Sequence, residues 1–210
     1  MTAEAVKATT GVRSFIAVPL PERVQAGIFA AAGELARALP SVKWSRKVEN
    51  LHVTIKFLGK VAEERLGEVG AALARAVGGL GRFGLEVRGV GAFPSPRKAS
   101  VIWIGVDDGA GRLAGIARAV EETAAALGVG EREPRPFRGH VTVGRAKGRD
   151  AVDARSALAP LADRSFGALE VGELHLYESV LGKGPDSDGS TYILRSRATL
   201  AGAAATGPGG

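Results

Sequence analysis

Two of the chain's three histidines open nearly identical tetrapeptides, His52-Val53-Thr54-Ile55 and His140-Val141-Thr142-Val143. A lone strand histidine is most simply structural; the repetition is what asks for a chemical reading. In extended backbone successive side chains alternate between faces, so His52, Thr54 and Lys56 are expected on one face and Leu51, Val53, Ile55 and Phe57 on the other, toward a core. His140 and Thr142 share a face in the same way, opposite Val141 and Val143. Two imidazoles near pH 7 supply a neutral base and a protonated acid, which in-line displacement at phosphorus needs on its entering and leaving oxygens. A threonine hydroxyl two residues beyond each histidine is placed to donate to the non-bridging oxygens, where negative charge must be held.

Competing chemistries find little support. Structural zinc takes about four N, S or O ligands and catalytic zinc three, yet the chain has no cysteine, no H-E-x-x-H and no carboxylate at short spacing beside either histidine. No metal and no cofactor are expected. A G-x-S-x-G elbow for a serine nucleophile is missing too. Gly78-Gly79-Leu80-Gly81 follows a helical stretch rather than a strand, the wrong context for a nucleotide-binding glycine loop.

What must position the pair is a chain of 210 residues, 45% hydrophobic, long enough for one substantial core or two small lobes sharing one. The lack of cysteine fits a reducing compartment, residues 1–12 carry no apolar run of signal-peptide length, and nowhere do about 18 apolar residues follow one another. A soluble, cytoplasmic protein without membrane contact is expected. The net charge of +6 is focused: residues 43–60 (Lys43, Arg46, Lys47, Lys56 and Lys60 against Glu49) carry +4 and residues 132–149 (Arg132, Arg135, Arg138, Arg145, Lys147 and Arg149 against Glu133) carry +5, leaving −3 elsewhere. Each window surrounds one histidine motif, and positive charge gathered this way attracts phosphate.

β-rich composition predicts a strand over 13–20, and Val24, Ile28, Leu35 and Leu39 at helical spacing predict a helix over 22–39, closed by Pro40. Residues 51–58 form the clearest strand. Further helices are predicted over 63–77, despite Gly67 and Gly70, over 113–127 and over 150–162. Strands are predicted over 85–90 and 100–106 across a loop at 93–98, at 140–143, and over 169–180 and 191–200 around a Gly/Asp/Ser loop at 182–190. Phe83-Gly84-Leu85-Glu86-Val87 is echoed by Phe166-Gly167-Ala168-Leu169-Glu170-Val171, each following a histidine motif. An internal duplication is inferred, its period long enough for two related lobes. The expected fold is α+β and bilobal, with two antiparallel β-sheets related by a pseudo-twofold axis, flanking helices and a central groove that receives both polar faces. The domain would span 13–200, between disordered tails at 1–12 and 201–210.

The segments Arg13-Ser14-Phe15-Ile16-Ala17-Val18, Asn50-Leu51-His52-Val53-Thr54-Ile55-Lys56-Phe57-Leu58-Gly59, Gly91-Ala92-Phe93-Pro94-Ser95-Pro96 and Pro136-Phe137-Arg138-Gly139-His140-Val141-Thr142-Val143-Gly144-Arg145 resemble the RNA 2′,3′-cyclic phosphodiesterase family, historically called 2′-5′ RNA ligase, of the two-histidine phosphoesterases. The resemblance implies the bilobal fold, metal-independent hydrolysis of 2′,3′-cyclic phosphates to 2′-phosphates and, in some members, a weak, reversible 2′-5′ joining of tRNA halves. It places the catalytic histidines on His52 and His140, the motif threonines on Thr54 and Thr142, and a phosphate-binding arginine on Arg145. His140 would be the base that activates water and His52 the acid on the departing 3′ oxygen. The implied partners are RNA with 2′,3′-cyclic phosphate ends or cyclic nucleotides, and a monomer is expected. Strand parity argues against Arg145, an odd step from His140, unless the strand ends or bulges at Gly144. Gly139 stands where relatives often carry proline. The alternatives are physiological RNA ligation, another cyclic phosphate such as an ADP-ribose derivative, and an RNA- or nucleotide-binding module without turnover, the last disfavoured by intact His52 and His140.

Among the aromatic residues, Trp44 and Phe137 in the basic loops, and Phe93, are candidates to stack on a base, against core packing as the simpler role for any one of them, whereas Trp103 falls within a predicted core strand. Lys56, placed on the face of His52, is expected to contact phosphate or to be solvated. His175 reads as a polar-face strand residue.

Overall fold

The computed structural model describes residues 11–148, 150–182 and 190–202, so the expected tails and the loop at 182–190 lie almost wholly outside the described residues. Apolar periodicity sets the helices: α1 (Glu22–Ala38) buries Val24, Ile28, Ala31 and Leu35, while α2 (Leu66–Val77) buries Val69, Leu73 and Val77 and α3 (Arg112–Ala126) buries Leu113, Ile116 and Val120. Residues 63–65, expected within α2, form a 3₁₀ turn instead. The helix expected over 150–162 shrinks to α4 (Arg155–Leu158) and a 3₁₀ turn. Val152 is drawn into a bridge with Ala99, and Pro160 has no N–H to extend a helix.

Nine strands follow from the remaining alternating segments: β1 (Val12–Pro19), β2 (Val42–Trp44), β3 (His52–Val61), β4 (Phe83–Ser95), β5 (Lys98–Asp107), β6 (His140–Ala146), β7 (Ser165–Val171), β8 (Glu173–Leu181) and β9 (Ser190–Thr199). The sequence reading has no β2, and it merges β7 with β8, which Gly172 separates. All pairings are antiparallel, in the order β7-β4-β5-β6-β3-β1-β8-β9, with β2 on β6. The two expected sheets are therefore the halves of one curled sheet, joined between β3 and β6 at the single pair Val53↔Val141. The half β3-β1-β8-β9 takes its strands from both ends of the chain and β4 to β7 from the middle build the other, so the duplicated segments interleave rather than forming one lobe each. The echoed segments 83–87 and 166–171 pair with each other across β4 and β7, Leu85 opposite Leu169.

The core lies between helices and sheet, with α2 under β9 and α3 under β3. Gly70, which a helix tolerates poorly, is required by this packing, because a Cβ there would lie 2.5 Å from Ser196 Oγ on β9. The face of the sheet turned away from the helices is left to form the groove.

Candidate active site

The pair Val53↔Val141 sets the register of the two central strands. Counted outward from it, His52 falls opposite Thr142 and Thr54 opposite His140, so both motifs present their polar side chains to one groove. Each imidazole is anchored alike: His52 Nδ1 is 2.7 Å from the Asn50 carbonyl oxygen, and His140 Nδ1 is 2.7 Å from that of Arg138. A carbonyl only accepts, so Nδ1 carries the proton in both rings and Nε2 is the free valence of each neutral imidazole. The Thr54 hydroxyl donates to His52 Nε2 at 3.0 Å. His52 also packs against Phe15, ring centroids 4.8 Å apart, and His140 meets the edge of Phe93 at 5.1 Å.

Two β-bulges decide what else faces the groove. Between β1 and β3 the register runs Ala17↔Thr54 then Ile16↔Lys56, skipping Ile55; between β5 and β6 it runs Trp103↔Thr142 then Ile102↔Gly144, skipping Val143. One extra residue at the same point of each motif reverses the parity beyond it. Lys56 therefore does not share the face of His52. It is 6% exposed and donates to Glu121 Oε2 on α3 at 2.7 Å and to the Glu131 carbonyl at 2.8 Å, so neither role expected of it holds. Phe57, expected in the core, takes its place beside Phe15 and is 63% exposed. In β6 the same device removes the parity objection to Arg145: the bulge lies at Val143, one residue before the expected Gly144, and returns an exposed Arg145 to the side of His140 and Thr142. Gly144 turns to the opposite side, where a Cβ would meet Val42 at 2.7 Å and Trp44 at 3.0 Å.

The Lys56 pair yields a test of this correction. Glu121→Ala leaves a buried ammonium with one neutral acceptor and should destabilise the fold by ~2–3 kcal/mol, somewhat under the usual cost because Glu121 is partly solvated. Lys56→Met should be nearly neutral to folding and to activity. Urea unfolding of both variants checks it, and a large loss of activity in Lys56→Met with stability intact would return Lys56 to the groove.

Burial pushes the His52 pKa down from 6.5 to about 4, opposed by the bond to the Asn50 carbonyl and assisted by His140. His140 is also lowered, by burial and by the Arg145 and Arg138 cations, against the bond to the Arg138 carbonyl. Both rings are thus mainly neutral at pH 7 in the empty groove. A depressed histidine pKa means that the unfolded chain takes up the proton first, so stability is complete above 6.5 and is lost as pH falls toward 4. For His52 the loss reaches up to ~3 kcal/mol. Denaturation at pH 7 and pH 4.5 should show it, with a flatter response in His52→Gln; an unchanged response would mean that His52 is not held neutral by the fold.

The other aromatic residues divide between core and groove. Trp44 donates from Nε1 to the Leu39 carbonyl and packs on the core, as does Phe137, so neither reaches the groove. Phe93 does, beside His140. Trp103, expected in the core, sits opposite Thr142 on the groove side, its ring 6.4 Å from His140 and covered by the Arg138 guanidinium at 4.6 Å. A side chain at residue 139 would press on Leu113 at 3.0 Å, which accounts for Gly139. His175 is indeed on the polar face, buried, with Nε2 on Glu173 and Nδ1 on the Tyr177 hydroxyl, both at 2.7 Å. Sequence reasoning missed Tyr192 on β9, whose ring lies 5.3 Å from His52, edge-on. No motif marks it, since it reaches the site through a partner strand far along the chain.

Among the described residues no cluster of three or more His, Asp or Glu side chains gathers as a metal site, and no helix is long and apolar enough to cross a membrane. The profile of the LigT like Phosphoesterase family matches residues 18–103 and again 104–185. The chain is 38% identical over 134 residues to the RNA 2′,3′-cyclic phosphodiesterase of Aeropyrum pernix, covering 63% of this chain and 74% of the relative. It is 35% identical over 174 residues to that of Archaeoglobus fulgidus, covering 82% and 94%. Among solved structures, Escherichia coli LigT complexed with 3′-AMP superposes with a TM-score of 0.71 at 24% identity, over 90% of this chain and 98% of that one. TT0787 of Thermus thermophilus gives the same score and identity over 90% and 97%.

Proposed function

Since the chain belongs to the LigT-like phosphoesterases, we propose that it opens 2′,3′-cyclic phosphate ends of RNA to 2′-phosphates without metal or cofactor, His52 and His140 serving as acid/base pair. The observation that carries this reading is the matched anchoring of two imidazoles on adjacent strands, Nδ1 on a backbone carbonyl and Nε2 the basic nitrogen of each, met in His52 by the Thr54 hydroxyl. One imidazole takes a proton from water as its oxygen bonds to phosphorus; the other gives a proton to O3′ as the P–O3′ bond breaks. Thr142 and Arg145 hold the non-bridging oxygens, where charge accumulates, and Thr54 joins them when protonation of His52 Nε2 frees its hydroxyl proton. The working unit is the whole of residues 13–200, because the half of the sheet that carries His52 is built from strands at both ends of the chain.

The resemblance makes His140 the base and His52 the acid. In the empty groove His52 is itself hard to protonate, so as acid it depends on the negative charge of the bound phosphate to raise its pKa. The test of function is incubation with a nucleoside 2′,3′-cyclic phosphate in EDTA. A nucleoside 2′-phosphate is expected. A 3′-phosphate product would reverse the substrate placement, and binding without turnover would favour a nucleotide-binding module.

A further inference from the structure

His52 and His140 share an anchoring scheme but not an enclosure, and the difference comes from the first residues of β9. Asn50, whose carbonyl fixes the His52 tautomer, also donates from its side-chain Nδ2 to the Ser190 carbonyl at 2.7 Å. Lys47 Nζ donates to Thr191 Oγ1 at 3.4 Å. The start of β9 is thereby clasped to the loop that precedes His52, although 140 residues separate Asn50 from Ser190 in the chain. The next residue, Tyr192, sets its ring edge-on to His52 at 5.3 Å and edge-on to Phe15 at 4.9 Å, so imidazole, phenyl and phenol pack as a mutually contacting trio.

We propose that Tyr192 is a further substrate-contacting residue of the site, carried over His52 by the Asn50 clasp so that its hydroxyl meets the substrate phosphate from the side opposite Arg145. This rests on the phosphoesterase reading above and adds a donor to it. The hydroxyl lies within the field of the Arg145 cation, which reaches it across the groove from β6 and works against the upward push of burial on the phenol pKa. A phenol O–H in that position adds a neutral donor across the groove from the Arg145 cation. Asn50 is a positioning residue that acts through Tyr192. The ionisable groups around His52 and Tyr192 are His140 and Arg145 on β6, Tyr177 on β8 and Lys47 on the preceding loop.

The experiment pairs two variants with two readouts. Tyr192→Phe removes the hydroxyl alone: turnover of a nucleoside 2′,3′-cyclic phosphate should fall ~10-fold, and a nucleoside 2′-phosphate should bind several-fold more weakly, the scale of one lost charge-assisted bond. The His52 titration followed by NMR should not move. Tyr192→Ala opens the imidazole to water, so its pKa should climb from about 4 toward 6.5; Asn50→Ser, which keeps the backbone carbonyl, should shift it the same way by less. Tyr192→Phe matching the wild type in turnover and in 2′-phosphate binding would overturn the contact, and an unmoved titration in Tyr192→Ala would overturn the enclosure. If the wild type opens no cyclic phosphate the functional proposal fails separately, and 2′-phosphate binding still decides the role of Tyr192.

Discussion

Alanine at His52 or at His140 should lower turnover of a nucleoside 2′,3′-cyclic phosphate at least ~10²-fold, the usual scale for a positioned proton-transfer group. The double variant should be little worse than the worse single one, because an acid and a base that serve one displacement act as a unit. The matched Nδ1 anchors motivate both expectations: each ring is held in the same tautomer, ready to use Nε2. The pH dependence of kcat/KM, which reports the free enzyme, should be a bell displaced to the acid side of 6.5, since both rings are depressed in the empty groove. An aryl phosphodiester with a nitrophenolate leaving group then separates the roles. Departure of nitrophenolate needs no proton, so the variant lacking the acid should be largely rescued and the variant lacking the base should not. Full activity in either single variant, or a bell centred above pH 7, would end the two-histidine reading.

How far the site was legible depends on what repeats locally and what does not. The doubled tetrapeptide announced the histidines because strand parity over three residues, His52 to Thr54 and His140 to Thr142, needs no tertiary information. Parity then failed for Lys56 and Phe57, for a physical reason the sequence does not display. A bulge costs one unpaired residue, and it is placed by the partner strand and the helix packed beneath, not by the bulged residue itself. Here Ile55 and Val143 are ordinary β-branched strand residues. What receives the reversed side chain in β3 is Glu121 on α3, paired under the sheet with the Lys56 ammonium. In β6 it is Trp44 and Val42, packed where only a glycine at residue 144 leaves room.

The fold was legible to a similar depth. Helix periodicity located α1 and α3 within a residue or two, and the duplication foretold two related half-sheets. That those halves join into one sheet was not readable, because the join is a single residue pair. Nor was the interleaving, by which β1 and β3 are completed by β8 and β9 from the far end of the chain. Tyr192 belongs to this second class. Its place beside His52 exists only once β9 is laid against β8 and clasped by Asn50.

The bulge at Val143 also gives Arg145 its largest expected effect. The two repeats align as His52, Thr54, bulge, Lys56, Phe57 and His140, Thr142, bulge, Gly144, Arg145, so the position that carries an exposed aromatic ring in one half carries an exposed guanidinium in the other. The groove is therefore electrically lopsided, its cation on the His140 side, where Arg145 depresses the imidazole and reaches Tyr192. If the phosphate binds between the histidines, that guanidinium meets a non-bridging oxygen whose charge grows during displacement. Arg145→Met should then cost ~10²-fold in kcat/KM, the scale of a lost oxyanion donor, while Arg75→Ala on the exposed face of α2 should cost nothing measurable. Arg145→Met should also let the His140 pKa rise, because a neighbouring cation has gone, and this is readable by NMR in the absence of substrate. A small activity loss equal to that of Arg75→Ala, with His140 unmoved, would put Arg145 back on the far side of its strand and remove it from the site.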